Sequence, residues 1–501
     1  MAFTPQQRLL RCTSFALACL LATAGSYPSL KLEAKAKDVG LSAERLERVS
    51  DFFEEQVDIG PLPFARAVIV KNGKLVYDYT AERNGNASLG VLESPEAEFR
   101  WYSMSKVLTS VGILVLMEQG KLHLRDKVSD YLPEFKDMKV VVGNYEPNAT
   151  LDSTSIEDAK KPILIVDLLR HTSGISYGGL FQEYGLNTPG DQIAQSKGYN
   201  VFTLKPEDVE DSENPGSEQK YSKLLASLPL NFEPGTRYEY SPGHAVCGAI
   251  IQAITGQSSE KWMFENVFKP IGATGFRATP TDKTVPVYVA AAKDIPSTIA
   301  HSRRHMQTSA DFKKENIILN PTHPKWPFDA ITANKHGRLM GDAGWVGRMI
   351  DMVLFARTIG NKGLAPNGFQ LLSPTTVSLM LSNNLPNNAL LNTGHGLIAG
   401  SKLLKNGGVM GFGLGGAVHT EAFGAYIGSI GSSPGMYEWC GIASTGLIID
   451  PKNDMQIVFA SQVWEAGFHP KSFGGCGMVG LGRRLIHASI VEDSTSNTCK
   501  L

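Results

Sequence analysis

A chain of 501 residues is long enough for a large core and for two or three domain-sized units. With 48 basic against 49 acidic residues it carries a net charge of −1, which gives no support for a nucleic-acid-binding surface. A hydrophobic content of 42% is ordinary for a soluble globular protein.

Residues 1–32 contain no acid. Arg8 and Arg11 precede an apolar run from Phe15 to Leu21, and Ala22-Thr23-Ala24 reads as a small-residue cleavage site. Residues 1–24 are therefore expected to be a secretory signal, with a mitochondrial transit segment as the alternative. The run is too short to cross a bilayer, and no later segment reaches about 18 unbroken apolar residues, so no stable membrane span is expected. Two sequons, at Asn86 and Asn148, fit a secretory route, whereas the terminal Cys499-Lys500-Leu501 resembles a peroxisomal address. Six scattered cysteines, with no C-x-x-C pair, read as free thiols.

Ser42 to Val57 has the periodicity of an amphipathic helix, with Ser42 as cap and Leu46, Val49, Phe52, Phe53 and Val57 on one face. Ala67–Val70 and Leu75–Tyr77 flank the turn signal Asn72-Gly73 and predict a hairpin. An apolar helix follows Ser103 and stops at Gly120. From about 120 to 394 short helical pieces alternate with Pro/Gly-rich connections, and residues 178–220 read as a surface insertion. A helix is predicted from Gly347 to Ile359. After about 395 strands return: one over Gly411–Val418, then Thr445–Ile449 and Met455–Ala460, before a last helix from Gly482 to Ile490. Strand-forming sequence lies at both ends, with residues 40–119 and 395–490 as sheet parts. The economical arrangement is an α+β fold: one antiparallel sheet drawn from both chain ends and flanked by helices, with a helical subdomain inserted between. Residues 40–490 form the catalytic unit and 491–501 a tail.

The chemistry-bearing segment is Ser103-Met104-Ser105-Lys106 at the head of the apolar helix. A Ser and a Lys three apart share one helix face. A serine hydroxyl is a weak nucleophile until a neighbouring base takes its proton, which a buried amine can do. Two further segments stand in the same order along the chain: Pro234-Gly235-Thr236-Arg237-Tyr238-Glu239-Tyr240-Ser241, and Trp439-Cys440-Gly441 ahead of the strand at Thr445.

S-x-x-K, P-G-T-x-x-x-Y-S and a W-x-G segment together resemble the serine β-lactamase-related superfamily, specifically its class C β-lactamase-like and family VIII esterase and transesterase group. The resemblance covers about residues 40–490 and implies a β-lactamase/transpeptidase-like fold. It also implies Ser103 as nucleophile and Lys106 with Tyr240 as the proton-handling pair. The oxyanion would then lie between backbone N–H groups of Ser103 and Ile442, on an edge strand carrying Trp439 and Gly441. Leu168–Gly174, which contains His171, and Leu372–Thr376 match the group as architectural segments, so His171 is structural. The group more often has Asn two residues after the Tyr; Pro242 stands there instead, and β-lactam contacts are in doubt. Where lactamases place the Lys of K-T-G, Trp439 offers an apolar face and one N–H donor.

The expected activity is hydrolysis or transesterification of a small-molecule carboxylic ester through an acyl-enzyme, with no metal or organic cofactor. A β-lactamase or D,D-peptidase and a non-catalytic relative are the alternatives. Lys and Tyr titrate near about 10 when unperturbed, so one must shift to act as base at neutral pH. Burial lowers a Lys and a neighbouring ammonium lowers a Tyr, so the pair can share one mobile proton. Gly431-Ser432-Ser433-Pro434-Gly435 fits G-x-S-x-G, but it leads toward a strand rather than a helix, and Ser433 is not expected to be a nucleophile.

Overall fold

The computed structural model describes residues 30–58, 62–83, 91–92, 94–143, 154–178, 188–199, 218–292, 317–320, 340–391, 401–405, 407–426, 431–464 and 477–491. Residues 1–24, expected to be a targeting segment, both sequons and the C-terminal tripeptide lie outside these residues. Among the described residues no helix is long and apolar enough to cross a membrane.

Eleven elements position the site. They are α1 (Ala43–Asp58), β1 (Phe64–Lys71), β2 (Lys74–Glu82), α2 (Met104–Glu118), α3 (Gly243–Thr255) and α4 (Met349–Gly360), then β3 (Met410–Phe412), β4 (Ala417–His419), β5 (Tyr437–Gly441), β6 (Thr445–Asp450) and β7 (Met455–Ala460). A last helix, α5 (Gly477–His487), begins five residues earlier than expected. Asn72 and Gly73 both adopt positive φ, 51° and 72°, as the two-residue turn between twisted strands requires. The hairpin then pairs with the C-terminal strand: in β1, Arg66 faces Ala460 and Lys71 faces Met455. The sheet runs β3-β4-β5-β6-β7-β1-β2, all antiparallel, so the two chain ends do share one sheet.

Every residue of β1, β6 and β7 is buried, because helices cover both faces. Phe53 of α1 packs edge-on against Phe459, and α5 approaches the same ring at Gly482. On the opposite face, Gly360 of α4 lies against Gln456. Phe53 is wholly buried, so Phe53→Ala should cost about 3–5 kcal/mol, read as a lower urea midpoint at unchanged m value. Helix α2 is buried nearly all round from Met104 to Leu116, which explains its lack of a polar face.

Three expectations change. The predicted strand over Gly411–Val418 is a hairpin, β3 and β4. Gly413 N–H bonds Gly416 O at 2.8 Å and Gly415 takes φ 88°, so the glycines supply a turn rather than a strand interior. Strand β5 is not a free edge: β4 pairs with it at Tyr437 and Glu438. That pairing ends before Trp439, so only the Trp439–Gly441 half keeps edge character. The middle of the chain is not purely helical. Lys139–Gly143 pairs with Thr154–Asp158, and Tyr288–Ala292 pairs with Ile317–Asn320 and Val463–Trp464. Within the presumed insertion a helix, Pro189–Ser196, is capped by Thr188, whose Oγ1 accepts from Asp191 N. Thr-Pro-x-Asp is a helix-start signal that the polar surroundings obscured.

Candidate active site

Ser103 is the N-cap of α2, and Lys106 follows one turn later on the same face. The residue before the serine, Tyr102, is held at φ 47°, a conformation L side chains rarely adopt. Its buried side chain packs with Ala443 and against Ile442 and Val287, which anchors the strained turn. Thr445 Oγ1 donates to Trp101 O at 3.2 Å, tying the start of β6 to the same turn. Gly441 is required here, because a Cβ would lie 2.5 Å from Trp101 O and 2.2 Å from Thr445 Oγ1. The bare backbone lets the end of β5 approach the chain just ahead of Ser103.

Tyr240 arrives from the turn preceding α3 and donates its hydroxyl hydrogen to Ser103 Oγ at 2.6 Å. Lys106 Nζ lies 4.6 Å from the centre of the Tyr240 ring. Pro242, where the related group often has Asn, caps α3 and leaves no side-chain amide at that position. The ring of Tyr240 sits between Trp439 at 5.5 Å and Tyr177 at 5.6 Å, and Phe412 meets Trp439 edge-on at 5.3 Å. One wall of the site is thus aromatic, and its strand position is held by Trp439 rather than by a lysine.

A residue that the motifs do not reveal completes the cluster. Asp342 lies in a single π-turn, Met340–Gly344, and its carboxylate meets Lys106 Nζ at 2.7 Å. Lys106 also donates to the Asp342 carbonyl at 2.9 Å. Tyr177 OH donates to the second carboxylate oxygen. Burial works against the Lys106 charge, but Asp342 and then Tyr240 carry its pKa above the ordinary lysine value. Of the two shifts the sequence left open for the Lys106–Tyr240 pair, a lowered lysine is not what the packing favours, because the effect of burial is outweighed by a carboxylate in contact. Burial pushes the Tyr240 phenol up, with Lys106 pulling it back.

His171 is wholly buried and not a partner of Ser103. Its Nδ1 accepts from Ser241 N–H at 3.2 Å and meets Ser241 Oγ at 3.1 Å, while its ring lies 4.7 Å from that of Tyr240. Burial, then His244 and Lys106, push its pKa well down, so it is a neutral support for Tyr240. The two serines of Gly431–Gly435 stand elsewhere. Ser433 donates to Asp450 Oδ2 at 2.9 Å, and Ser432 meets His419, which contacts Glu438. Glu438 precedes Trp439 on β5 and so faces the other side of the sheet. Cys440 is disulfide-bonded, which corrects the expectation of free thiols; Cys247 is free and buried. Sequence spacing alone does not show that two cysteines meet.

Behind Asp342, Glu218 accepts from Gly341 N–H at 2.9 Å and contacts Ser259 Oγ at 3.0 Å. Burial pushes its carboxyl up to about 8. The unfolded chain ionises this group near about pH 4.3, whereas the folded chain holds the proton, so its contribution to stability falls as pH rises from there toward about 8. Glu218→Gln should flatten that decline, read as melting temperature against pH.

The antiparallel sheet drawn from both chain ends, with helices on both faces and α2 buried beside it, has the β-lactamase/transpeptidase-like fold, that of a family of serine hydrolases. A family model described as Beta-lactamase matches residues 49–471, and the chain belongs to that family. A protein of Escherichia coli strain K12 named "Putative D-alanyl-D-alanine carboxypeptidase" is 23% identical over 472 residues, covering 91% of this chain and 90% of the relative. Solved structures that share the fold include the following two. EstCE1, a hydrolase with promiscuous acyltransferase activity, has a TM-score of 0.60 at 20% identity, over 89% of this chain and 98% of its own. Simvastatin synthase (LovD) from Aspergillus terreus has 0.61 at 18% identity, over 91% of this chain and 100% of its own.

Proposed function

We propose that the protein is a carboxylic ester hydrolase or transesterase acting through an acyl-enzyme on Ser103. The observation that carries this reading is the 2.6 Å bond between Tyr240 OH and Ser103 Oγ, with Lys106 Nζ held 4.6 Å from the same ring. Tyr240, as phenolate, takes the Ser103 proton as Oγ attacks the ester carbonyl, and returns it to the leaving alcohol. Water, or a second alcohol, then attacks the acyl-enzyme with Tyr240 again as base. The oxyanion is assigned to the N–H groups of Ser103 and Ile442, with Gly441 allowing the strand end to come close.

The aromatic wall around Trp439 supports neutral, apolar acyl groups over substrates with a carboxylate, because no ammonium faces them from that strand position. EstCE1, a hydrolase with promiscuous acyltransferase activity, fits this reading; the name of the Escherichia coli relative favours a D,D-peptidase instead. An aryl-ester panel of increasing acyl length, run with and without an added alcohol, decides among them. Turnover of esters with little hydrolysis of a chromogenic cephalosporin or a D-Ala-D-Ala peptide is expected, and the reverse preference would sink the ester assignment. Trp439→Ala should lower kcat/KM for the longer apolar acyl groups by about 10-fold, with less effect on acetyl esters.

A further inference from the structure

We propose that Asp342 is a positioning residue for the acyl-transfer site: its carboxylate fixes Lys106 as an ammonium ion and adds one proton to the resting site, so Tyr240 must lose its proton before Ser103 is activated. This rests on the acyl-transfer reading above. Lys106 is 0% exposed, and its Nζ is held by both the Asp342 carboxylate, at 2.7 Å, and the Asp342 carbonyl, at 2.9 Å. The second carboxylate oxygen is taken by Tyr177 OH, so the acid is oriented from two sides. The π-turn that carries it is fixed in turn, with Gly341 N–H bonded to Glu218 and Trp345 N–H bonded to Ser105 Oγ at 3.0 Å.

Other titratable groups among the described residues face the ion pair. Tyr177 and Tyr240 flank it, and Glu218 lies behind Gly341 and stays protonated until about pH 8. Tyr199, Tyr221 and Cys247 feel the Asp342 charge and are pushed up by burial first. His171 and His244 feel Lys106 and are pushed well down, again by burial first, and so stay neutral.

The proton count follows. At rest the site holds an ammonium on Lys106, a carboxylate on Asp342 and a phenol on Tyr240, with no net charge. Loss of one proton to solvent leaves the phenolate that accepts the Ser103 proton. Without the carboxylate the same ammonium and phenol carry one positive charge, and a proton leaves at lower pH. Asp342 therefore sets an alkaline working range.

The test is the rate at which a fluorophosphonate labels Ser103 between about pH 6 and 10, in wild type, Asp342→Asn, Asp342→Glu and Tyr177→Phe. The ascending limb of Asp342→Asn should move toward acid by about one unit, so that at the low-pH end its rate, relative to its own plateau, is about tenfold above wild type. Asp342→Glu should restore the wild-type limb. Tyr177→Phe strips a donor from the carboxylate, strengthens its field and should move the limb toward alkali. A limb that stays in place in Asp342→Asn, whatever the loss of plateau, overturns the proposal, since a purely structural acid would lower the rate without moving the limb. If Asp342→Asn does not fold, an unmoved limb in Tyr177→Phe overturns it instead. A wild-type protein that is never labelled removes the acyl-transfer reading itself, and this proposal with it.

Discussion

Ser103→Ala is expected to lower turnover of short-chain aryl esters by about 10⁴-fold or more and to abolish fluorophosphonate labelling. The substitution removes a single oxygen at the N-cap of α2, where the serine side chain makes no capping bond. Helix stability therefore should not change, and an unchanged thermal melt separates loss of chemistry from loss of fold. Residual turnover would measure what the oxyanion donors and binding contribute without a nucleophile. If hydrolysis persists at the wild-type rate, Ser103 is not the nucleophile, and the serines of Gly431–Gly435 become the next to test.

Tyr240→Phe should reduce kcat by about 10²–10⁴-fold with little change in KM. The phenyl ring keeps its packing between Tyr177, Trp439 and His171, so substrate contacts survive while the 2.6 Å bond to Ser103 is lost. This substitution is a cleaner probe than removing Lys106. Lys106→Ala would strand the Asp342 carboxylate in the interior without its ion-pair partner, and breaking such a buried pair costs about 3–5 kcal/mol. A Tyr240→Phe variant with near-wild-type kcat would shift the base assignment to Lys106, which its contact with Asp342 argues against.

The two carboxylates near the site act in different directions. Asp342 is paired with Lys106; burial pushes its own carboxyl up while Lys106 and the Tyr177 hydroxyl pull it back, and its charge raises the proton affinity of its neighbours. Glu218 is buried with no cation in contact among the described residues, and burial pushes its carboxyl up to about 8. Above about pH 8 a second negative charge would enter the region behind Asp342. On the proposed reading, selection at Trp439 and Phe412 rests on shape and apolar contact.

What the linear sequence determined is what short-range geometry determines. Ser103 and Lys106 fall on one face because a helix repeats every 3.6 residues. Asn72-Gly73 specifies its turn because both residues tolerate positive φ, and alternation between apolar runs and turn residues marks the strands at both chain ends. Tyr240 was legible through its Pro-Gly-Thr context, though not its 2.6 Å reach across 137 residues to Ser103. Where local signals conflicted, the reading failed. The glycines of 411–416 permit either a weak strand or a turn, and only pairing with β5 settles them as a hairpin. The strand bearing Trp439 was read as an edge throughout, yet β4 covers its Tyr437–Glu438 half and leaves edge character only from Trp439 onward. Asp342 had no signal at all: it lies 236 residues from Lys106, in a π-turn that no periodicity announces. Tertiary structure alone decided the charge of Lys106, because a buried amine is neutral or charged according to which group packs against it, and that neighbour is chosen by the fold.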